Sequence, residues 1–251
     1  MRKLVFLMVI ALSAASTVSA QDNPEAHLQA GIVSQTYWRG SKLGNIGLQT
    51  SASLNYKGAE VGFWGTTGVN SDDKKMIDLS LEYRRWGFNV GVIDHWFSGI
   101  DENDRYLYYS EKKTGHAFEG NIGYDCRYFS LQAYTMFWGN DFKANGDRAY
   151  STYLELNVPF RFAGLRWDVT AGGTPFESAG DITYTIDDDF NLQIKDKSYR
   201  YADNATCVNA SIKATKDFRI GRRIILPVSA QFLTNPYDQT AAVILGTSIK
   251  L

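Results

Sequence analysis

From Gly47 to Val69 the chain keeps a strict rhythm. Leu48, Thr50, Ala52, Leu54 and Tyr56 share one parity, while Gln49, Ser51, Ser53 and Asn55 share the other. Strand side chains point to alternate faces, so this segment has one apolar and one polar face. A tight turn at Lys57-Gly58 joins it to a second strand through Val69. Strands of soluble sandwiches run about five or six residues. Here the alternation lasts about ten, the length a tilted strand needs to cross a bilayer.

The pattern recurs along the chain. A first strand is expected over His27–Trp38, ending in Tyr37-Trp38-Arg39-Gly40 and a loop to Asn45. After the opening hairpin, Met76–Arg84 sets Ile77, Leu79, Leu81 and Tyr83 outward against Asp78, Ser80, Glu82 and Arg84. Further strands are expected over Phe88–Phe97, His116–Asp125, Tyr128–Trp138, Tyr150–Val158 (stopped by Pro159) and Leu165–Gly172. Asn204–Ala214, Arg223–Leu233 and Gln239–Leu251 complete the set, with Val208 outward. That predicts an all-β chain, an antiparallel transmembrane β-barrel of about 12 strands. With the N-terminus periplasmic, the connections sort by length: those after Tyr56, Arg84, Asp125 and Val158 are short. The long ones, including Ser98–Gly115 and Gly173–Asp203 around Asp187-Asp188-Asp189, all fall outside. Outer-membrane barrels sort their turns and loops this way.

Aromatic side chains make up 14% of the chain and gather at strand ends. Tyr56, Tyr83, Trp86, Phe88, Tyr124, Tyr128, Phe129, Phe160 and Trp167 are expected at the periplasmic rim. Trp38, Trp96, Phe97, Phe137, Trp138 and Tyr150 are expected at the outer rim. Girdles of this kind mark the two membrane interfaces. The N-terminus agrees on compartment: Arg2 and Lys3, an apolar run Leu4–Leu12 and the small residues Val18-Ser19-Ala20 read as a signal peptide over residues 1–20. Residues 21–251 are then the barrel. The full chain carries 26 Lys and Arg against 27 Asp and Glu, and losing Arg2 and Lys3 widens the acidic excess from one to three. Such a balance offers no footprint for nucleic acid. Cys126 and Cys207 are expected near opposite rims, too far apart for a disulfide.

The inward parity collects the candidate functional residues. Asp78, Glu82, Arg84, Glu119, Glu155, Arg166, Asp168 and Lys213 bring both signs of charge. Gln49, Ser51, Ser53, Asn55 and Gln231 add neutral polar groups. A lumen of this composition holds water and passes small polar solutes, and small inward positions such as Ser80, Gly91 and Gly123 favour an open bore over a salt-bridged plug. A catalytic reading needs a nucleophile beside a base. Of His27, His95 and His116, the last two lie near the outer ends of neighbouring strands but on opposite parities, and no Ser stands in a nucleophile motif. The acidic loops Asp101–Asp104 and Asp187–Asp189 lack the spacing of a calcium loop. Neither a catalytic residue, nor a metal, nor a cofactor is expected.

Ser34-Gln35-Thr36-Tyr37-Trp38-Arg39-Gly40 resembles the early Ser-x-Tyr-x-x-Arg-Gly type of signature in the TorF-type porin family of bacterial outer membranes. Gly172-Gly173-Thr174-Pro175-Phe176-Glu177-Ser178 and Leu226-Pro227-Val228 are similar to segments of the same proteins. The resemblance implies a small barrel in passive transport and names no catalytic residue. Leu251 resembles the terminal apolar residue of barrels folded by the outer-membrane assembly machinery. The expectation is a porin-like channel in the bacterial outer membrane, surrounded by lipid and passing small hydrophilic solutes. The alternatives are a non-conducting barrel whose loops serve adhesion, assembly or receptor contact, and a membrane lipid hydrolase or acyltransferase.

Overall fold

A strand with one apolar and one polar face cannot bury both sides in a single core, but a ring of them can separate two environments. The computed structural model, which describes residues 23–101, 103–186, 192–220 and 224–250, shows that ring. Its strands are β1 (Glu25–Val33), β2 (Thr36–Trp38), β3 (Ser41–Gly44), β4 (Gly47–Tyr56), β5 (Ala59–Gly68), β6 (Met76–Arg85), β7 (Phe88–Phe97) and β8 (His116–Asp125). Then come β9 (Ser130–Gly139), β10 (Thr152–Phe162), β11 (Leu165–Thr174), β12 (Gly180–Ile186), β13 (Leu192–Tyr199), β14 (Thr206–Ile220), β15 (Ile224–Asn235) and β16 (Thr240–Lys250). Twelve of these close into one antiparallel barrel, sealed by β1 against β16 from Gln29↔Lys250 to Val33↔Gly246. The remaining four form two separate hairpins, β2–β3 and β12–β13. The signal segment, Asp187–Asp189 and Leu251 lie outside the described residues.

Tight turns set the register. Lys57-Gly58, Trp86-Gly87 and Ala163-Gly164 all have positive φ at both central residues, the geometry that matches the twist of paired strands. The outward set is apolar and bare: Val61, Leu81, Ile122 and Val243 are each about 60% exposed. Leaving such a side chain in water forfeits about 1.5–3 kcal/mol of burial. Summed around the ring, that cost requires an apolar medium outside.

Several expectations are corrected. The first strand stops at Val33; beyond it the chain leaves the wall and folds inward as β2–β3, so Trp38 belongs to the interior rather than to the outer girdle. Trp96 and Phe97 are also buried, at 6% and 8% exposure, Phe97 packing inside the barrel. Pro159 does not end β10, which runs on to Phe162 and pairs Pro159 with Asp168. The β9 side of β10 has no partner beyond Asn157, and such an edge is where a ladder tolerates proline. β14 extends past Ala214 to Ile220, paired with β15 throughout, where a turn was expected. Val208 is not outward: a bulge at Gly172/Gly173 turns it in against Tyr153, Tyr201 and Ala202. Both cysteines are free.

Candidate lumen site

The site is built where β2–β3 meets the inner wall. Arg39 and Gly40 form its tip, with φ of 49° and 85°. A Cβ added at Gly40 would lie 1.9 Å from the Val208 carbonyl oxygen, so only glycine lets the tip sit against the β14 bulge. Asn235, 1% exposed, donates to the Gly40 carbonyl at 3.5 Å and secures the tip from the β15 side. At the base, Asp73 accepts from the backbone N–H of Asn45 and of Asn70, each at 3.1 Å. Leu43 packs with Met76, Phe97, Ala117 and Met136, so the hairpin also docks through apolar contacts.

Arg39 is thereby aimed at Glu119 on β8. Its two Nη atoms donate to the two carboxylate oxygens at 2.6 and 2.7 Å, a bidentate pair. The Nη1 atom also donates to the Tyr201 hydroxyl at 2.6 Å. Four rings surround the guanidinium: Cζ lies 4.7 Å from the Trp38 centroid, 4.2 Å from Tyr134, 4.8 Å from Tyr153 and 6.0 Å from Tyr201. A guanidinium is weakly hydrated and planar, so ring faces and a carboxylate fork can replace its water.

The network continues behind Glu119. His95 Nε2 lies 3.0 Å from Glu119 Oε2, and His95 Nδ1 lies 2.8 Å from Asp78 Oδ1. Both ring nitrogens face carboxylate oxygens, an arrangement that an imidazolium donating to each satisfies. Asp78, His95, Glu119 and Arg39 then form an alternating chain of two negative and two positive charges. His95 and Glu119 are 1% and 0% exposed. Burial of charge on this scale is tolerable only with every charge paired. To one side, Tyr153 donates to Glu155 at 2.9 Å and accepts from Asn209 at 3.0 Å. Its hydroxyl fills the space where a side chain at Gly172 would be.

Above Arg39 the return from β13 caps the lumen. The Ser178 hydroxyl accepts from the backbone N–H of Tyr201 and of Ala202 at 2.9 and 3.1 Å, while the Ser151 hydroxyl accepts from Ala179 N–H at 2.7 Å. Below the network, toward the periplasmic turns, a cavity of about 390 Å³ remains, bordered by Ser51, Ser53, Glu60, Trp64, Asp78, Ser80 and Glu82.

The residues expected to line a wet bore therefore divide. Asp78, Glu119 and Glu155 enter the buried network, while Ser51, Ser53 and Glu82 border the cavity, Glu82 accepting from Arg84 at 2.7 Å. Asn55 stands in register with Glu25 and Glu60, and Gln49 with Gly31 and Thr66. On the far wall Lys213 stands in register with both Asp168 and Gln231, while Arg166 reaches Asp217 at 3.5 Å. Of the small inward positions, Ser80 borders the cavity, but Gly91 and Gly123 do not widen the bore. A Cβ at Gly123 would fall 1.8 Å from Gln132 Oε1, and one at Gly91 2.6 Å from Glu82 Cγ; both are seats for neighbouring side chains. Arg39 itself was missed, because it was read as part of a rim loop. The usable signal was an Arg-Gly pair at a two-residue turn flanked by short alternating segments, which makes a hairpin of its own.

His116 lies on the other side of the wall from His95. Its Nδ1 faces Asp94 at 2.8 Å, its Nε2 faces the Tyr106 carbonyl, and Tyr109 stacks on its ring at 4.0 Å while donating to Asp94 at 3.1 Å. This cluster pins the loop between β7 and β8 over the outside of the barrel. Both imidazole nitrogens are already engaged and the residue is 0% exposed.

No protein-family model and no curated protein matches the chain. Among solved structures it is similar to Salmonella typhi OmpF in a complex with daunomycin, at 10% identity and a TM-score of 0.35, over 92% of this chain and 98% of that one. A likeness this distant carries no argument, and the fold rests on the strand pairing itself.

Proposed function

We propose that this chain is a bacterial outer-membrane channel for small hydrophilic solutes that is closed at rest by its own β2–β3 hairpin. The observation that carries this reading is the position of Arg39. It is held by charge and by ring faces on a hairpin that leaves the wall after Val33 and rejoins it at Gly47, and its ionic network ends on Asp78, which borders the cavity. A plug needed only for stability is better built from apolar side chains, since replacing buried ion pairs with hydrophobic residues is often neutral or stabilising. A polar plug that can be exchanged for a polar solute is the arrangement a gate requires. The outward apolar surface supports placement in lipid, and the signal segment and the TorF-type resemblance support export and passive transport.

Single-channel recording in planar bilayers tests the proposal. The intact protein should give rare, brief openings. A variant with residues 35–45 replaced by a Gly-Ser linker should conduct steadily. Silence from both proteins, with the barrel verified by circular dichroism and heat-shifted gel mobility, would sink the channel. The chain would then be a non-conducting barrel acting through its loops. Steady conduction by the intact protein would refute closure at rest.

A further inference from the structure

We propose that the seat filled by Arg39 is the solute site of the channel and that it takes a guanidinium-bearing solute, with Arg39 acting as a tethered competitor. The transport half of this statement rests on the reading above; the binding half does not. Three parts of the seat belong to the wall and remain when the hairpin leaves: Glu119 on β8, Tyr134 on β9 and Tyr153 on β10. Trp38 and the Arg39 side chain depart together, while Tyr201, held with Ala202 by Ser178, stays beside the seat.

Charge selects the solute first. With Arg39 withdrawn, Asp78 and Glu119 share His95 alone, leaving at least one uncompensated negative charge at the seat. An anion or neutral solute cannot restore the balance, whereas one monovalent cation can. Shape selects next. The Glu119 carboxylate offers two oxygens side by side, which a guanidinium fork meets with two parallel hydrogen bonds and an ammonium cannot. The adjacent rings of Tyr134 and Tyr153, tilted 38° to one another and 4.2 and 4.8 Å from the present Cζ, border the seat with two π systems that favour a delocalised cation. A primary ammonium, compact and strongly hydrated, gains less from ring faces and loses more water on entry. The cavity beyond, with Glu60, Asp78 and Glu82 on its border, continues the acidic path toward the periplasmic side.

The test uses R39G protein in detergent, since glycine is at ease at the φ of 49° found at position 39. Methylguanidinium chloride is titrated at millimolar concentrations against tryptophan fluorescence, with methylammonium chloride and urea as the cationic and the planar neutral controls. Saturable binding of methylguanidinium, about tenfold tighter than methylammonium, is the expected result. Adding E119Q should abolish that preference, and the intact protein, where Arg39 competes for the seat, should bind methylguanidinium more weakly than R39G. Folded R39G that fails to bind, or that binds both cations equally, overturns the proposal.

A second measurement stands if R39G does not fold. In an otherwise native barrel with C126S, C207S and S41C, methylguanidinium should speed maleimide labelling of position 41 by displacing the hairpin, and methylammonium should not. Equal labelling rates overturn the proposal. The two readings fail separately. Binding of methylguanidinium by R39G, together with silence of the 35–45 linker variant in a bilayer, removes the channel and keeps the seat. R39G that conducts without any cation preference removes the seat and keeps the channel.

Discussion

Replacing Glu119 by Gln preserves the shape of the side chain and removes its charge. Glu119 now accepts three hydrogen bonds, two from Arg39 at 2.6 and 2.7 Å and one from His95 at 3.0 Å, at 0% exposure. Gln offers one acceptor oxygen and an NH₂ group, and whichever way the amide turns, its donors meet the donors of Arg39 or His95. The guanidinium is left in a dry site without its counter-charge. Removing one partner of a buried pair costs about 3–5 kcal/mol. The hairpin provides an escape, because Arg39 can return to water by undocking, so the loss is capped by the docking free energy of β2–β3. The cost should therefore split: part appears as lower global stability and part as local opening at residues 36–44. Urea unfolding in lipid vesicles, followed by tryptophan fluorescence, reads the first, and amide hydrogen exchange of the hairpin reads the second. In a cycle with Arg39→Met the double variant should be less damaged than the sum of the singles, with a coupling of about 2 kcal/mol. If Glu119→Gln lies within about 0.5 kcal/mol of the native protein by both measurements, or if the cycle is additive to that precision, the network does not hold the plug.

Three other perturbations probe separate parts of the molecule. Gly40→Ala puts a methyl group against the Val208 carbonyl and an L side chain at φ 85°, a backbone cost of at least about 1 kcal/mol before the clash. Exchange at residues 36–44 should accelerate while the barrel strands stay protected, and unchanged exchange would mean the tip is not seated on β14. Leu81→Arg, on the outward face at 60% exposure, should cost about 2–4 kcal/mol in vesicle unfolding. Ser80→Arg beside it, on the cavity side, should cost clearly less, and equal costs would contradict the assignment of faces. In the loop between β7 and β8, hydrogen bonds from the Arg105 side chain and backbone hold the Asp101 carboxyl down to about 2. Its folded value is depressed, so this clasp contributes fully above the ordinary carboxyl range near pH 4 and is lost as pH falls toward about 2. Pepsin cleavage between residues 98 and 115 should rise across that window, more steeply than for Asp101→Asn, and parallel curves for the two proteins would discount the clasp.

Strand faces and strand pairing were legible because each depends on near neighbours. Parity alone assigned Leu81 outward and Ser80 inward, and it put His95 and His116 on opposite faces. A two-residue turn at Trp86-Gly87 fixes register along the whole β6–β7 hairpin, so the Asp78–His95 pair follows from counting outward from that turn. Bulges broke this arithmetic where they occurred. Val208 changed sides because one extra residue in β14 shifts the alternation at Gly172/Gly173.

The sequence by itself determined a twelve-stranded ring, its apolar exterior, its polar interior and the sorting of long and short connections. Only the tertiary structure decided that β2–β3 folds into the interior, and against which residues. Arg39 stands 80 residues from Glu119 and 162 from Tyr201. Whether a loop folds inward or outward depends on what waits for it there. Here the carboxylate and rings of the inner wall receive a guanidinium, and the bulge at Val208 leaves room for Gly40. Outside the wall, Asp94 and His116 receive Tyr109 from the next loop. Alternation determines which side of the wall a residue faces, because it is a property of neighbouring peptide units. The partner that meets it there comes from distant parts of the chain, and closing the barrel brings them together.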